Sequence, residues 1–576
     1  MTTTHPTDAA ADLVALGDEA WTATMAAWPL YATALGDRRY LETLPPNEAG
    51  ASDRLAEGHR RLLERVEAIS PDDLSEPDRV TRSALVDELA QRLGLIESGL
   101  NRWMVDPLDG AQVQFLNVAS YQPLTTEAEG ASAVERWRAM GPWIDRQTVG
   151  MRAAIADGLV APRALVESVL DELDDLLDRP DETWPLFSPA SADRAGWSAA
   201  ALSRFRDGVA TAIRDGIRPA FARQRNFLAD ELRPIARPDE RPGLCHVPGG
   251  DSAYLRLVRA HTTLELSPEA IHAIGLEETA RIDAAFADLG ASVLRTTSPA
   301  ETIDRLRSDP ALRFSTSDQV RETAERALRR ATEAIPNWFG RLPQAGCDVV
   351  VMGEHESKHS TIAYYREPAA DRSRPGQYYI NTTLPETRPR YEAETLAFHE
   401  SVPGHHLQVA IAQELTHLPD FRRFGIVTAF VEGWGLYTER LSAEMGLYSG
   451  PMDEFGILSY DAWRVCRLVV DTGMHALGWT RREAIDFMLE HTALAENNIV
   501  NEVDRYIAIP GQALAYKLGQ LELLRLRGEA EAALGGRFDI RRFHDAVLGE
   551  GAVGLETLRG LIGRWIETSR DGSAAG

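Results

Sequence analysis

The sequence predicts a mainly α protein: a large, two-lobed helical body with a central cleft and a small β-sheet next to the helices of the candidate site. Three observations lead there. Apolar residues recur at helical spacing along much of the 576-residue chain. β-prone runs are confined to a stretch at about 347–383. A Pro-rich crossing from Arg233 to Gly250 separates an N-terminal helical lobe, 1–240, from a site-bearing lobe, 241–576. The two are expected to form one integrated unit.

Between Asp53 and Ile69, Leu55, Leu62, Leu63, Val66 and Ile69 mark one helical face, and Val134–Leu177 continues the periodicity. Ser198–Asp230 and Ser267–Leu289 read alike; in the second, Ser267 suits a cap and Pro268 the first helical position. Cys347–Met352, Thr361–Tyr365 and Gln377–Thr382 are the β-prone runs. Helical patterning then resumes over Tyr391–Gln413, Phe421–Met445, Phe455–Leu477, Arg481–Leu489 and Gln512–Leu526.

With 61 Lys+Arg against 87 Asp+Glu, the formal net charge of −26 repels phosphate backbones and anionic membrane surfaces, so neither nucleic acid nor membrane is an expected partner. Cys245, Cys347 and Cys466 are the only cysteines and form no CxxC pair. A metal would therefore be held by histidines and carboxylates. No signal-like N-terminus and no long uncharged apolar stretch is read, giving a cytoplasmic expectation.

The segment YEAETLAFHESVPGHHLQVAIAQEL carries the sharpest chemical signal, with His399 and Glu400 followed by His405 and His406. It is related to HExxH without matching it. In HExxH the two histidines are four apart and share one face of a helix. Here His405 would lie about 120° from His399, and His406 about 10.5 Å along the axis, so neither shares a metal with it across a straight helix. Pro403 removes a backbone donor and Gly404 accepts unusual dihedrals, so the pair can break the helix and return a histidine. His405 is the first choice and His406 the alternative; the competing reading is a histidine-rich turn that only satisfies core hydrogen bonds.

The third ligand expected from a second helix is Glu432 in FVEGWGLYTERL, an acidic residue in an apolar run whose burial calls for a compensating cation. Glu439 reads as a supporting or solvent-facing pair. Two imidazoles and a carboxylate favour one Zn²⁺ ion, with manganese and cobalt compatible. On WRVCRLVVDTGMHALG, Arg464, Arg467, Asp471 and His475 fall near one face and read as a buried ion-pair network, with substrate-carboxylate binding by an arginine such as Arg467 as the functional alternative and His475 as a minor ligand option. His355 and His359 in the β-prone region are read as solvated rather than as a second metal site. Tyr364, Tyr378, Tyr379 and Asn381 border an edge strand suited to receive an extended peptide.

At HESVPGHH and the downstream EGW the chain resembles the bacterial family catalogued as domain of unknown function 885, over most of its length. That family is placed near HExxH peptidases with a glutamate third ligand, such as thimet oligopeptidase and the Taq-type carboxypeptidases. The resemblance implies a helical, cleft-bearing metallopeptidase fold. RYIAIPGQALAYKLG is similar to the tyrosine-containing segment of the Taq-type enzymes, which implies that Tyr506, Gln512, Tyr516 and Lys517 supply oxyanion donors or bind a substrate carboxylate.

The expected function is zinc-dependent hydrolysis of short peptides or small amides, with His399, His405 and Glu432 as ligands, Glu400 as general base and Tyr506 as oxyanion donor. The alternatives are an amidase or esterase acting on non-peptide substrates, and an inactive, metal-free peptide-binding protein.

Overall fold

Side-chain caps start several helices, one of them at the Ser267 expected from sequence. Ser267 Oγ accepts from Ala270 N at the head of α1 (Pro268–Leu289), and Thr126 and Glu129 form a reciprocal capping box before Glu127–Ala156. The computed structural model describes residues 7–353, 362–369 and 374–570. His355 and His359 lie outside the described residues. The structure is 72% helical with one three-stranded mixed sheet. No helix among the described residues is long and apolar enough to cross a membrane.

The sheet comprises β1 (Cys347–Val351), β2 (Ala363–Arg366) and β3 (Gly376–Ile380). Its order is β1-β3-β2, with β1 parallel to β3 and β2 antiparallel to it. The β-prone runs therefore form strands, but the middle strand is the last in sequence, so Tyr378 and Tyr379 lie on the central strand, paired on both sides, and only Tyr364 is on an edge strand.

Six helices after the sheet build the site and its surroundings: α2 (Ala393–Glu400), α3 (His405–Glu414), α4 (Thr428–Glu444), α5 (Glu454–His475), α6 (Glu496–Ala508) and α7 (Leu514–Leu534). The run expected as one helix from Phe421 to Met445 is two, Asp420–Phe424 and α4, because Gly425 is extended at ψ 152°. The helix expected over Gln512–Leu526 begins at Leu514 and continues to Gly535, whose φ of +53° ends it. Glu496–Ala508 is a helix that the periodicity reading had not singled out.

Close packing fixes these helices. A Cβ at Gly433 would fall 2.5 Å from the backbone of Gly519, and one at Gly519 would fall 2.0 Å from Ala429 O, so α4 and α7 touch through glycine. One apolar cluster draws on Leu30 to Ala236. Another joins N-terminal residues such as Leu13, Leu85 and Trp103 to Phe398, Trp434 and Leu518 around the site helices.

Candidate metal centre

The helix expected over Tyr391–Gln413 breaks at Pro403–Gly404. α2 stops at Glu400, and α3 starts at His405 after Ser401 (φ −108°, ψ −109°) and Gly404 (φ −77°, ψ −129°) leave helical geometry. A Cβ at residue 404 would lie 1.9 Å from His399 O, a distance only glycine permits. Trp434 on α4 secures the turn by donating its indole Nε1–H to Pro403 O at 3.0 Å.

This break returns His405 to His399. Their rings stand edge to face with centroids 4.6 Å apart. Nε2 of His399 lies 3.7 Å, and Nε2 of His405 3.5 Å, from Glu432 Oε2. One ligand atom from each of the three residues lies within 4.8 Å of the other two. Two ligands about 2.1 Å from one tetrahedral zinc stand about 3.4 Å apart, so the donor set fits such an ion.

The surroundings orient the donors. His399 Nδ1–H donates to Glu439 Oε1 at 2.8 Å, which leaves Nε2 as the free electron pair. A Cβ at Gly435 would come within 2.7 Å of the His399 ring, so this glycine makes room for the imidazole. Within Glu432-Gly433-Trp434-Gly435, the first residue thus offers its carboxylate to the donor cluster, the second admits the neighbouring helix, the third anchors the turn and the fourth clears the ring. Among the described residues His405 lacks the support given to His399, since none of them hydrogen-bonds its buried Nδ1.

Electrostatics match this geometry. Burial alone would push the His399 imidazole down, but Glu432 and Glu439 on its two nitrogens raise it to about 9. Burial likewise opposes ionisation of Glu432, and His399 and His405 overcome it, holding its carboxyl well below the usual carboxylate range. The cluster favours a cation between its carboxylates.

His406 turns away. Its Nε2–H donates to Ala345 O at 3.0 Å while Nδ1 accepts from Tyr365 O–H at 3.1 Å, and burial pushes its pKa down to about 4. A side chain at Gly376 would collide with that ring at 2.4 Å. The choice between the two histidines is thus resolved by the sheet: His406 docks on it and His405 faces Glu432.

A cavity of about 490 Å³ opens over the cluster, lined by His399, His405 and Glu432, and by Glu400, Tyr516 and Arg467 among the other expected residues. Four expected residues stand elsewhere. Lys517 is fully buried, donating to Asp461 at 2.7 Å and Gln520 at 2.7 Å with Glu278 at 3.1 Å, so its ammonium is committed within the core. Tyr506 is 1% exposed and its oxygen accepts from Arg467 Nε and Trp463 Nε1, each at 2.9 Å. Gln512 Oε1 accepts from Arg505, and Tyr379 stacks on Tyr364 with centroids 4.7 Å apart.

The network expected along α5 is also rearranged. Arg467 pairs with Glu502 of α6 rather than Asp471. Asp471 accepts from Tyr254 O–H and Gly511 N. His475 is no ligand, because Nδ1 accepts from Leu244 N and Nε2–H donates to Tyr506 O. Trp463, Glu502, Arg505 and Tyr365 line the cavity without having been assigned there from sequence. The Trp463-Arg464 and Glu502-Arg505 spacings were the available signals.

A family described as bacterial protein of unknown function, DUF885, matches residues 29–562. The chain belongs to the DUF885 family. The DUF885 fold recurs in a solved structure from Colwellia psychrerythraea described as a "putative lipoprotein", with TM-score 0.90 and 25% identity over 97% of this chain and 99% of that one. A Shewanella oneidensis structure, described as a "putative lipoprotein of unknown function", matches at TM-score 0.71 and 15% identity over 97% of this chain and 100% of that one. No curated protein matches this DUF885 chain.

Proposed function

We propose that this DUF885 protein is a zinc-dependent hydrolase of the metallopeptidase type, acting on short peptides. The observation that carries the reading is the convergence of His399 Nε2, His405 Nε2 and Glu432 Oε2 at one end of a cavity that Glu400 also lines. A zinc ion held there supplies Lewis acidity, polarising a carbonyl and acidifying water. The resemblance of HESVPGHH and EGW to a family placed near glutamate-ligand HExxH peptidases supports the same assignment.

The protein's own groups do the remaining work. Glu400, adjacent in the chain to the ligand His399 and part-exposed at the cavity, takes the proton of the attacking water and passes it to the leaving nitrogen. Tyr516 faces the same cavity and replaces buried Tyr506 as the hydroxyl donor for the developing oxyanion. Arg467 lies beneath Tyr516, with its guanidinium carbon 4.3 Å from the ring centroid, and holds that wall in place.

The test is zinc content by elemental analysis together with cleavage of a dipeptide and tripeptide panel. One zinc per chain, lost in Glu432→Ala and His405→Ala but kept in Glu400→Gln, with at least a hundredfold loss of turnover in the last, is the expected result. A fully active Glu400→Gln variant sinks the base assignment, and a wild-type protein that takes up no zinc sinks the hydrolase reading. For location, the sequence expectation is the cytoplasm and the lipoprotein relatives favour the cell envelope as the alternative; cell fractionation separates the two.

A further inference from the structure

Arg464 and Arg467 line the same cavity as the His399–His405–Glu432 cluster, yet both are almost wholly buried, at 4% and 2% exposure. Among the described residues, neither guanidinium finds partners for all of its donors. Arg464 has one hydrogen bond, a long 3.5 Å contact to Tyr460 O, while its nearest carboxylate oxygen, Glu439 Oε1, is 3.9 Å away and already serves His399. Its Nε has no partner. Arg467 donates through Nε to Tyr506 and through Nη2 to Glu502 at 3.2 Å, and its Nη1 has no partner.

Burying a guanidinium with unused donors is costly unless an anion completes it. The neighbouring carboxylates supply that anion only in part. Glu502 is shared between Arg467 and Arg505, and Arg505 takes it through both Nε and Nη2. The three arginines thus share two carboxylates, Glu502 answering two of them and Glu439, whose Oε1 also serves His399, standing 3.9 Å from the third.

The two guanidinium groups are also held ready. Trp463 lies between them, with the Arg464 and Arg467 guanidinium carbons 4.4 and 4.5 Å from its ring centroid. Its indole N–H is anchored on Tyr506. Aromatic contact fixes the planar groups without consuming their hydrogen-bond donors, as a site for a planar anion requires.

We infer that Arg464 and Arg467 form a binding site for a free carboxylate of the substrate, making the preferred substrates peptides or N-acyl amino acids with an unblocked C-terminus. The inference deepens the proposed hydrolase and rests on it for the word substrate. The position selects the length. Arg464 reaches Glu439, which touches His399, and Arg467 underlies Tyr516, which lines the cavity with Glu432. One layer of side chains separates the carboxylate site from the donor cluster, so a bound C-terminus sets the bond nearest it beside Glu400. Exopeptidase rather than endopeptidase action follows.

The test separates binding from turnover. Calorimetry on the metal-free full chain compares N-acetyl-glycine, N-acetyl-alanine and N-acetyl-phenylalanine with their C-terminal amides and with inorganic phosphate. At least one free acid binding ten times or more tighter than its amide, and tighter than phosphate, is expected, with the preference lost in Arg464→Gln and Arg467→Gln and partly kept in Arg467→Lys. Equal affinity for acid and amide, no binding of any acid, or tighter binding of phosphate overturns the carboxylate site. The acid-to-amide comparison on unaltered protein decides the matter even if a variant does not fold. Turnover of peptides with acid preference absent would leave the hydrolase standing and remove the carboxylate site; acid-selective binding without turnover would do the reverse.

Discussion

The Nδ1–H of His399 donates to Glu439 Oε1 at 2.8 Å inside the core, where Glu439 is 1% exposed. Seven positions after Glu432 on the same helix, Glu439 fixes the tautomer of the ligand that Glu432 faces. Removing such a partner from a ligand histidine typically weakens metal binding about 10–100-fold. Glu439→Gln is therefore expected to raise the zinc dissociation constant within that range, measured by chelator competition. Unchanged affinity would show that packing against Gly435 alone orients the ring.

Gly435 has no space for a side chain, because its Cβ would stand 2.7 Å from the His399 ring. Gly435→Ala must push the imidazole away from Glu432. Overpacking of this kind costs about 1–3 kcal/mol, which lowers the melting temperature by a few degrees. Zinc occupancy is expected to fall much further, since the displaced group is the ligand itself. Elemental analysis of folded variant with zinc retained at one per chain would contradict the placement of His399.

The pH dependence has a definite sign. With His399 raised to about 9 from 6.5 in the metal-free fold, its imidazolium contributes stability that is fully present below pH 6.5 and lost as pH climbs through 9. Zinc requires the neutral ring, so binding expels this proton and apparent affinity rises about tenfold per pH unit across the same window. Calorimetry in buffers of differing ionisation enthalpy is expected to count about one proton released at pH 7.5. Affinity that is flat from pH 7 to 9 would show that His399 is already neutral.

Much of this site was legible because its signals are local. Pro403 and Gly404 required a broken helix whatever surrounded them, and Glu432 stood out as a carboxylate among Phe430, Val431 and Trp434. Its position after Gly404 puts His405 first in the sequence, but what turns His406 away was not legible, since it depends on Gly376 and Tyr365, contributed by strands whose order β1-β3-β2 no local pattern encodes. Tyr506 and Lys517 were misplaced for a related reason. Helical periodicity says that each lies on a helix but not which face finds partners, and those partners, Arg467, Asp461 and Glu278, arrive from distant helices.

Lys517 gives the last test, because its surroundings and its sequence-based role predict opposite phenotypes. Its ammonium is fully buried between Asp461, Glu278 and Gln520, and Asp461 also receives Arg440. Removing one partner of a buried charged set strands the others, at a cost of about 3–5 kcal/mol. Lys517→Met is expected to lower the melting temperature by about 3–4 °C, while the folded fraction keeps its zinc and its KM, because Lys517 does not line the cavity. A variant with unchanged thermal stability but lost turnover would return Lys517 to the substrate. The opposite result assigns it to holding α1, α5 and α7 together beneath the site.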